Sequence, residues 1–359
     1  MKKSISPRLI ISLIVIAAIY LGAWAVEKIN GTQSMAVTVL QKGAVYALIA
    51  VSMNLLNGFT GLFSLGQAGF MLVGAYSYAI LTIPMAKRAA VYQYYDGGIV
   101  QFTMGFLPAL LIAGIVAALF AALIGLPVLR LKGDYLAIAT LGFAEIIRAL
   151  VQWDSIGPLT NASNILKTYP TLKTIMPGNT VLFTFIVVGI CIGLILLLIN
   201  STYGRAFKAI RDDEIAAEAM GINLFKHKQM AFIISSFFAG IGGALLAMYQ
   251  GALQAIAFKS AMTYEILLIV VIGGLGSVSG SVIASFLFIA CSEWWLRFLD
   301  AETMIGDFKV PLLAPGFRMV VFSIVIMIVV LFFRRGIMGT RELWELGSRR
   351  GAKGGRKSA

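Results

Sequence analysis

Residues 181–199 read VLFTFIVVGICIGLILLLI, nineteen positions with no charge and none of the every-other-residue alternation of a barrel strand. At 1.5 Å per residue a helix of that length is about 28 Å long, close to the ~30 Å hydrocarbon core of a bilayer. In hydrocarbon only helices and closed barrels satisfy their own backbone groups, so the run reads as a membrane-spanning helix. Phe317–Phe333 is a second run without alternation. Over the 359 residues, 59% are hydrophobic and 13% charged, against about 25% charged in a soluble domain. The expected fold class is an all-α polytopic membrane protein.

Working outward, spans are expected near 9–26, 37–57, 61–83, 104–126, 135–153, 181–199, 229–249 and 317–333. The net charge of +13 is of the size that nucleic-acid binding favours, but its placement argues otherwise. Lys and Arg number three in 1–8, two in 127–134, five in 200–228 and eight in 334–359, while 27–36, 84–103, 154–180 and 250–263 together hold six. That alternation is the positive-inside bias of a membrane protein, so no nucleic-acid partner is expected.

Parity then decides how the stretch 264–299 must run. Loop 200–228 and the tail from Arg334 both carry inside charge, and spans 229–249 and 317–333 make two crossings between them. The intervening stretch must therefore start and finish on the outer side. A continuous helix over its 36 residues would be roughly 54 Å long, too long for one crossing at usual tilts. The sequence GGLGSVSG at 273–280 interrupts it, and Gly273, Gly274, Gly276 and Gly280 allow the φ values of a sharp reversal. A break within 272–281 is expected, with a short helix before it and a longer one after, either as two spans or as a re-entrant dip and a helix. Irregular backbone at membrane depth needs protein shielding or a cavity, so the break points toward a transport route. A second glycine-rich break, GFTGLFSLG at 58–66, hints at a duplicated half. Gly243, Ala247 and Gly251, at every fourth position, suit close helix packing.

Cys191 and Cys291 lie in apolar segments and read as small buried hydrophobes, with no disulfide or zinc spacing. His227 is the single histidine, which leaves no His-based metal site within one chain. The N-terminus, with Lys2, Lys3, the apolar run from Leu9 to Leu21 and the pair Ala23 and Ala25, resembles a signal peptide but is long enough for a retained first helix. Either outcome leaves residue 30 outside.

Loop 200–228 is the most informative soluble segment. Arg205, Lys208 and Arg211 precede Asp212 and Asp213, which suit a helix cap and first turn. Glu214, Ala217 and Glu218 follow among helix formers, and Gly221 is placed as the stop. The result is a helix of about two turns, roughly 12 Å, suited either to docking in a groove on another protein or to lying solvated at the membrane face. Within the spans, Glu145 and Arg148 each cost about 2.5–3.5 kcal/mol at a helix centre. Spaced i, i+3 they share a face, either as a buried structural pair or as a polar wall of a path for a zwitterion. Ser64, Gln67 and Thr140 are further path candidates, with Gly273, Gly274 and Gly276.

Five segments together resemble the branched-chain amino acid ABC permease family, over residues 54–339 and in order. GRAFKAIR at 204–211, running into EIAAEAMGIN at 214–223, resembles its coupling-loop signature, beginning at Gly204. GLFSLGQAGF at 61–70 with Gly74, Ala75 and Tyr76 resembles its early glycine motif, with Gln67 where members often have His and Gly69 where they have Ala. LKGDYLAIATLGFAE at 131–145 resembles the LivM-type branch, GGLGSVSG the late glycine segment, and FRRGIMG at 333–339 the C-terminal border. The resemblance implies a larger-type importer fold with about ten transmembrane or re-entrant helices, over 1–333, in the bacterial inner membrane with both termini cytoplasmic. It also implies a second homologous permease, two cytosolic ATPases that dock on the 200–228 segment, and a periplasmic substrate-binding protein. Branched-chain amino acids are the implied cargo, with urea or short amides as the alternative. The tail 334–359 is more basic than the family needs and suits a disordered segment on anionic lipid.

Two other functions compete. An autonomous secondary transporter usually carries several intramembrane acids, whereas Glu145 is the one acid well inside these spans. A membrane enzyme needs a nucleophile with a base, or metal ligands. No Gly-x-x-x-x-Gly-Lys-Ser/Thr loop is present, so no ATP cofactor is expected on this chain and ATP hydrolysis falls to separate subunits.

The parity argument predicts the accessibility of single cysteines on a Cys191- and Cys291-free background in intact cells. Positions in 84–103 and 154–180 should react with an impermeant thiol reagent, and positions in 200–228 and at 345 should not; labelling at 345 would overturn the parity.

Overall fold

The computed structural model describes residues 20–29, 31, 34–131 and 133–296, with shorter pieces between 304 and 342. Its helices are α1 over 20–29, α2 Met35–Asn54, α3 Gln67–Thr82, α4 Met85–Val91, α5 Phe106–Val128, α6 Asp134–Gln152, α7 Gly157–Thr160 and α8 Leu172–Ile175. There follow α9 Thr180–Asn200, α10 Thr202–Asp212, α11 Glu214–Ala219, α12 Leu224–Gln250, α13 Ser260–Gly273 and α14 Val278–Ala290. Two-residue strands Met304–Ile305 and Phe308–Lys309 pair as a minimal hairpin.

The chain is an all-α polytopic membrane protein. Among the described residues, five helices are long and apolar enough to cross a bilayer: α2 with its π-helical end Leu55–Phe59, α5, α9, α12, and α14 with its π-helical end at Trp295. α6, with a continuation over 154–160 bent by 63°, passes the same test as a pair. The start of the expected first span, most of 317–333 and most of the tail lie outside the described residues.

α12 is the central post, packed against α2, α3 and α5. Small residues set its approach. A Cβ on Gly74 would stand 2.1 Å from the Gly240 carbonyl oxygen, and one on Gly243 would stand 2.0 Å from that of Met71. Backbone thus touches backbone between α3 and α12, the arrangement by which membrane helices gain dispersion contacts. Gly251, grouped by its spacing with Gly243, does something else. It stands at φ +70°, just past the end of α12, and its N–H donates to the Ala247 carbonyl at 2.9 Å.

Two of the expected spans are broken. The segment expected over 61–83 is helical only from Gln67, and 61–66 is irregular, with Gly61 at φ +75°. Freed backbone there finds side-chain partners, as membrane depth demands. Asn57 pairs with both the N–H (3.2 Å) and the carbonyl (3.3 Å) of Ser64, and the Leu65 N–H donates to Thr140 Oγ1 at 2.9 Å. The second break falls where expected, between the 14-residue α13 and the 18-residue helical run Val278–Trp295. Gly274 and Gly276 turn it at φ +115° and +87°.

Asn54, fully buried on α2, holds that turn. Its Nδ2 donates to the carbonyls of Gly274 (3.3 Å) and Ser277 (2.9 Å) and to Ser281 Oγ (2.8 Å), and its Oδ1 accepts from the Gly276 N–H at 2.9 Å. The start of the expected tail also docks here rather than lying free. Ile337 and Met338 donate backbone N–H bonds to the carbonyls of Ile272 and Gly273 (2.7 and 3.2 Å). The Glu342 carboxylate caps α14 by accepting from the N–H groups of Val278 (2.7 Å) and Ser279 (3.0 Å), a favourable charge at a helix N-terminus.

At the end opposite 200–228, loops 84–103 and 154–180 form one cap. Arg88, buried on α4, donates to the carbonyls of Ile80 and Phe102, both at 2.8 Å, and to that of Val100. Tyr92 Oη donates to the Leu159 carbonyl at 3.0 Å, and burial pushes its phenol up to about 12 despite the neighbouring Arg88. On the far side of the cap Glu27 of α1 takes the N-terminus of α9, accepting from the N–H groups of Thr180 (2.8 Å) and Val181 (3.0 Å).

Replacing Asn54 by Leu removes these bonds and leaves the buried Gly276 N–H unpaired, while the Gly274 and Ser277 carbonyls keep the N–H of Ser277 and the hydroxyl of Ser281. Chemical unfolding in detergent should show a loss of about 1–3 kcal/mol; a variant as stable as the parent would show that the turn does not depend on this side chain.

Candidate translocation path and coupling segment

The two broken helices start inside the bundle and touch there. Gln67 opens α3, and its Nε2 donates to Ser52 Oγ at 2.7 Å. The next residue, Ala68, donates its N–H to Thr263 Oγ1 of α13 at 3.2 Å. Ser52 lies seven residues before the end of the π-helical turn, so this contact sits about 10 Å in from the 200–228 end. Thr140 is buried in the same region, donating to the Ala137 carbonyl (3.0 Å) while accepting from Leu65. Ser64, Gln67 and Thr140, singled out from sequence, are therefore brought together around the start of α3.

Glu145 serves the start of α13. Its Oε1 accepts from the Ser260 N–H at 3.3 Å and from the Ser260 hydroxyl. Its Oε2 pairs with Arg148 (Nε at 2.7 Å, Nη2 at 2.5 Å), and Arg148 Nη1 donates to Gln152 Oε1 at 3.2 Å. The side chains keep 35% and 24% of their surface exposed, so the pair is open on one flank. That flank carries Ile138, Gly142 and Ile146 of α6, all exposed. The arrangement is both an ion pair and a helix cap.

Gly273, Gly274 and Gly276 lie elsewhere. The 14 residues of α13 separate them from Ser260 by about 21 Å. Of the seven path candidates, Glu145 at the start of α13 thus stands farthest from the glycine turn, while Ser64 belongs to the first break, which abuts it.

A third polar group escaped the sequence reading. Lys42 on α2 pairs with Glu293 at 2.5 Å, both side chains about one quarter exposed, and its ammonium lies 5.7 Å from the Tyr46 ring centre. Glu265 of α13 lies within electrostatic reach of both charges. Lys42 within an apolar span was the available signal, because such a charge needs a partner. Glu293 stood 251 residues away, with nothing local to connect them.

The 200–228 segment is two helices rather than one. α10 runs Thr202–Asp212 with Ser201 as its cap, and it buries Phe207 and Ile210. Gly204 is there for space, since a Cβ would stand 2.1 Å from the Ile199 carbonyl oxygen. Asp213 caps α11 by accepting from the N–H groups of Ile215 (2.9 Å) and Ala216 (3.0 Å), as its position before Glu214 predicts. Gly221, at φ +84°, stops it, and the Ile222 N–H reaches back to the Ala217 carbonyl at 3.1 Å. Ala217 is buried, and Glu214 ties α11 to α12 through Lys228 at 2.7 Å. Arg205 and Glu218 are exposed. So are Ile215 and Met220, at 82% and 83%, two large apolar side chains at the tip that the charge pattern did not single out. Arg211 turns the other way, donating from Nη1 to the Gly58 carbonyl at 3.2 Å.

Helices broken inside a bundle, with a folded basic loop at one end, are the architecture of a membrane permease. The model of the branched-chain amino acid transport system / permease component family matches residues 35–331, and the chain belongs to that family. It is similar to the high-affinity branched-chain amino acid transport permease LivM of Escherichia coli K12, 33% identical over 330 residues, covering 84% of this chain and 71% of that one. LivM of Salmonella typhimurium is 32% identical over the same shares. LivH of Escherichia coli K12 is 22% identical over 312 residues, 84% of this chain and 93% of that one. The LivM-type assignment follows from that difference. No solved structure matches the chain.

A double-mutant cycle over Glu145→Gln and Arg148→Met measures the pair by chemical unfolding. Each single change strands a partner, so the two losses should be non-additive by about 0.5–3 kcal/mol; additive losses would mean that the pair contributes nothing.

Proposed function

We propose that the chain is the LivM-type permease subunit of an ATP-driven importer of branched-chain amino acids. It would sit in the bacterial inner membrane with 200–228 and both termini on the cytoplasmic side. Its partners would be a second, LivH-like permease, two cytosolic ATPases and a periplasmic substrate-binding protein. The observation that carries the reading is the 33% identity to LivM over 84% of the chain. The geometry fits the division of labour. Ile215 and Met220 stand uncovered at the tip of α11, and burying two such side chains in a groove gives about 1.5–3 kcal/mol each. The chain has no phosphate loop, so ATP would be bound and hydrolysed by the partner subunits. Cargo would cross beside α6 and the starts of α3 and α13, where Ser64, Gln67, Thr140 and Glu145 supply hydroxyl, amide and carboxylate groups among apolar walls.

The test is reconstitution of the chain with the second permease and the ATPases in proteoliposomes. ATP- and binding-protein-dependent uptake of labelled leucine is the expected result, with Glu218→Lys or Ile215→Asp abolishing co-purification of the ATPases. Uptake by this chain alone on an ion gradient would instead establish a secondary transporter, and competition by urea but not by valine would move the cargo to short amides.

A further inference from the structure

Arg211 occupies a place that docking on an ATPase does not explain. α10 lies directly under both glycine breaks, and this side chain touches each of them. Its Nη1 donates to the Gly58 carbonyl at 3.2 Å. A Cβ on Gly276 would stand 3.2 Å from the same nitrogen, and a Cβ on Gly61 would stand 3.0 Å from Arg211 Cγ. The two breaks also abut one another, since a Cβ on Gly58 would come within 2.4 Å of the Gly276 nitrogen. Asp212 Oδ1 holds the guanidinium in place, accepting from Nε (3.0 Å) and Nη2 (2.8 Å). Nearby, the Lys208 ammonium lies 5.7 Å from the Phe59 ring centre.

We infer that Arg211 is the positioning residue that makes the coupling segment, the turn at 58–61 and the turn at 274–277 move as one body. The inference rests on the permease reading above and adds to it the route by which motion enters the membrane. A planar guanidinium held at both ends transmits displacement in a way that a lone ammonium does not, because its donors are fixed relative to one another. Each turn is the end of a helix pair: α2 and α3 meet through the first, α13 and α14 through the second. A shift of α10 would reach four helices through one side chain. Glycine at 58, 61 and 276 is what lets the side chain and the two turns come this close.

The experiment uses the whole reconstituted complex with spin labels replacing exposed residues, on a background lacking Cys191 and Cys291. One label pair, at Tyr203 on α10 and Leu119 on α5, reports the coupling segment; the other, at Leu275 and Leu119, reports the second break. In the parent complex, trapping the ATPases with vanadate should shift both distances. In Arg211→Ala the first shift should persist and the second should vanish, with binding-protein-stimulated ATP hydrolysis falling about tenfold, the worth of one charge-assisted bond. Arg211→Lys, which keeps the charge but replaces the fixed fork by a single ammonium nitrogen, should show the same pattern more weakly, and serves if the alanine variant does not fold. A Leu275 shift of parental size in Arg211→Ala, or in Arg211→Lys where the alanine variant does not fold, overturns the inference while leaving the permease reading intact. Failure of the parent chain to assemble with ATPases would instead remove the reading, and the inference with it.

Discussion

Backbone that leaves the helix at membrane depth has no water to bond with, and in this chain one asparagine meets much of that demand. Asn54 accepts one bond from, and donates three bonds to, the turn and first residues that join α13 to α14. Without it the buried Gly276 N–H would lose its partner, at about 1–3 kcal/mol. Asn57 does the same for Ser64 at the other break, three residues further along the chain. A single stretch of α2 and its π-helical end thus supports both irregular segments. The π-helical turn at Leu55–Phe59 belongs with this role, since such turns recur at functional sites.

Much of this was legible in the sequence because the membrane restricts the choices so severely. Apolar runs of helix-spanning length gave α5, α9 and α12 close to their observed limits, and charge parity forced a reversal between 264 and 299 before any contact was known. Asp213 and Gly221 marked the ends of α11 by local chemistry, which acts over three or four residues and so is visible in a linear string. α10 is not announced by the charge pattern, because its Lys and Arg suit a topological loop as well as a helix, although Ser201 caps it. Gly251 was grouped with packing glycines, since a spacing of four fits both a stripe and a stop.

The features that escaped are those whose partners lie far away in the chain. Asn54 meets Gly276 across 222 residues, Lys42 meets Glu293 across 251, and Glu342 meets Val278 across 64. No local pattern announces such pairings; at most, a polar residue in an apolar span announces that a partner must exist. The path candidates illustrate the limit. Residue type selected Ser64, Gln67, Thr140 and Glu145 together with Gly273, Gly274 and Gly276, but only the fold shows that Glu145 caps the start of α13, about 21 Å along that helix from the glycine turn. The resulting layout has polar groups within the bundle, glycine turns at one end, and a folded basic segment against those turns. On the proposed reading, that layout would put a place for cargo and a place for force on the same few helices.

The central claim is that the breaks are built and shielded rather than loose kinks, and backbone amide exchange tests it most directly. In the detergent-solubilised chain, peptides covering 274–281 should exchange as slowly as those from α13 and α12, because the Gly276 N–H is held by Asn54 and those of Val278 and Ser279 by Glu342. Exchange of that segment at the rate of the exposed loop 84–103 would contradict the account.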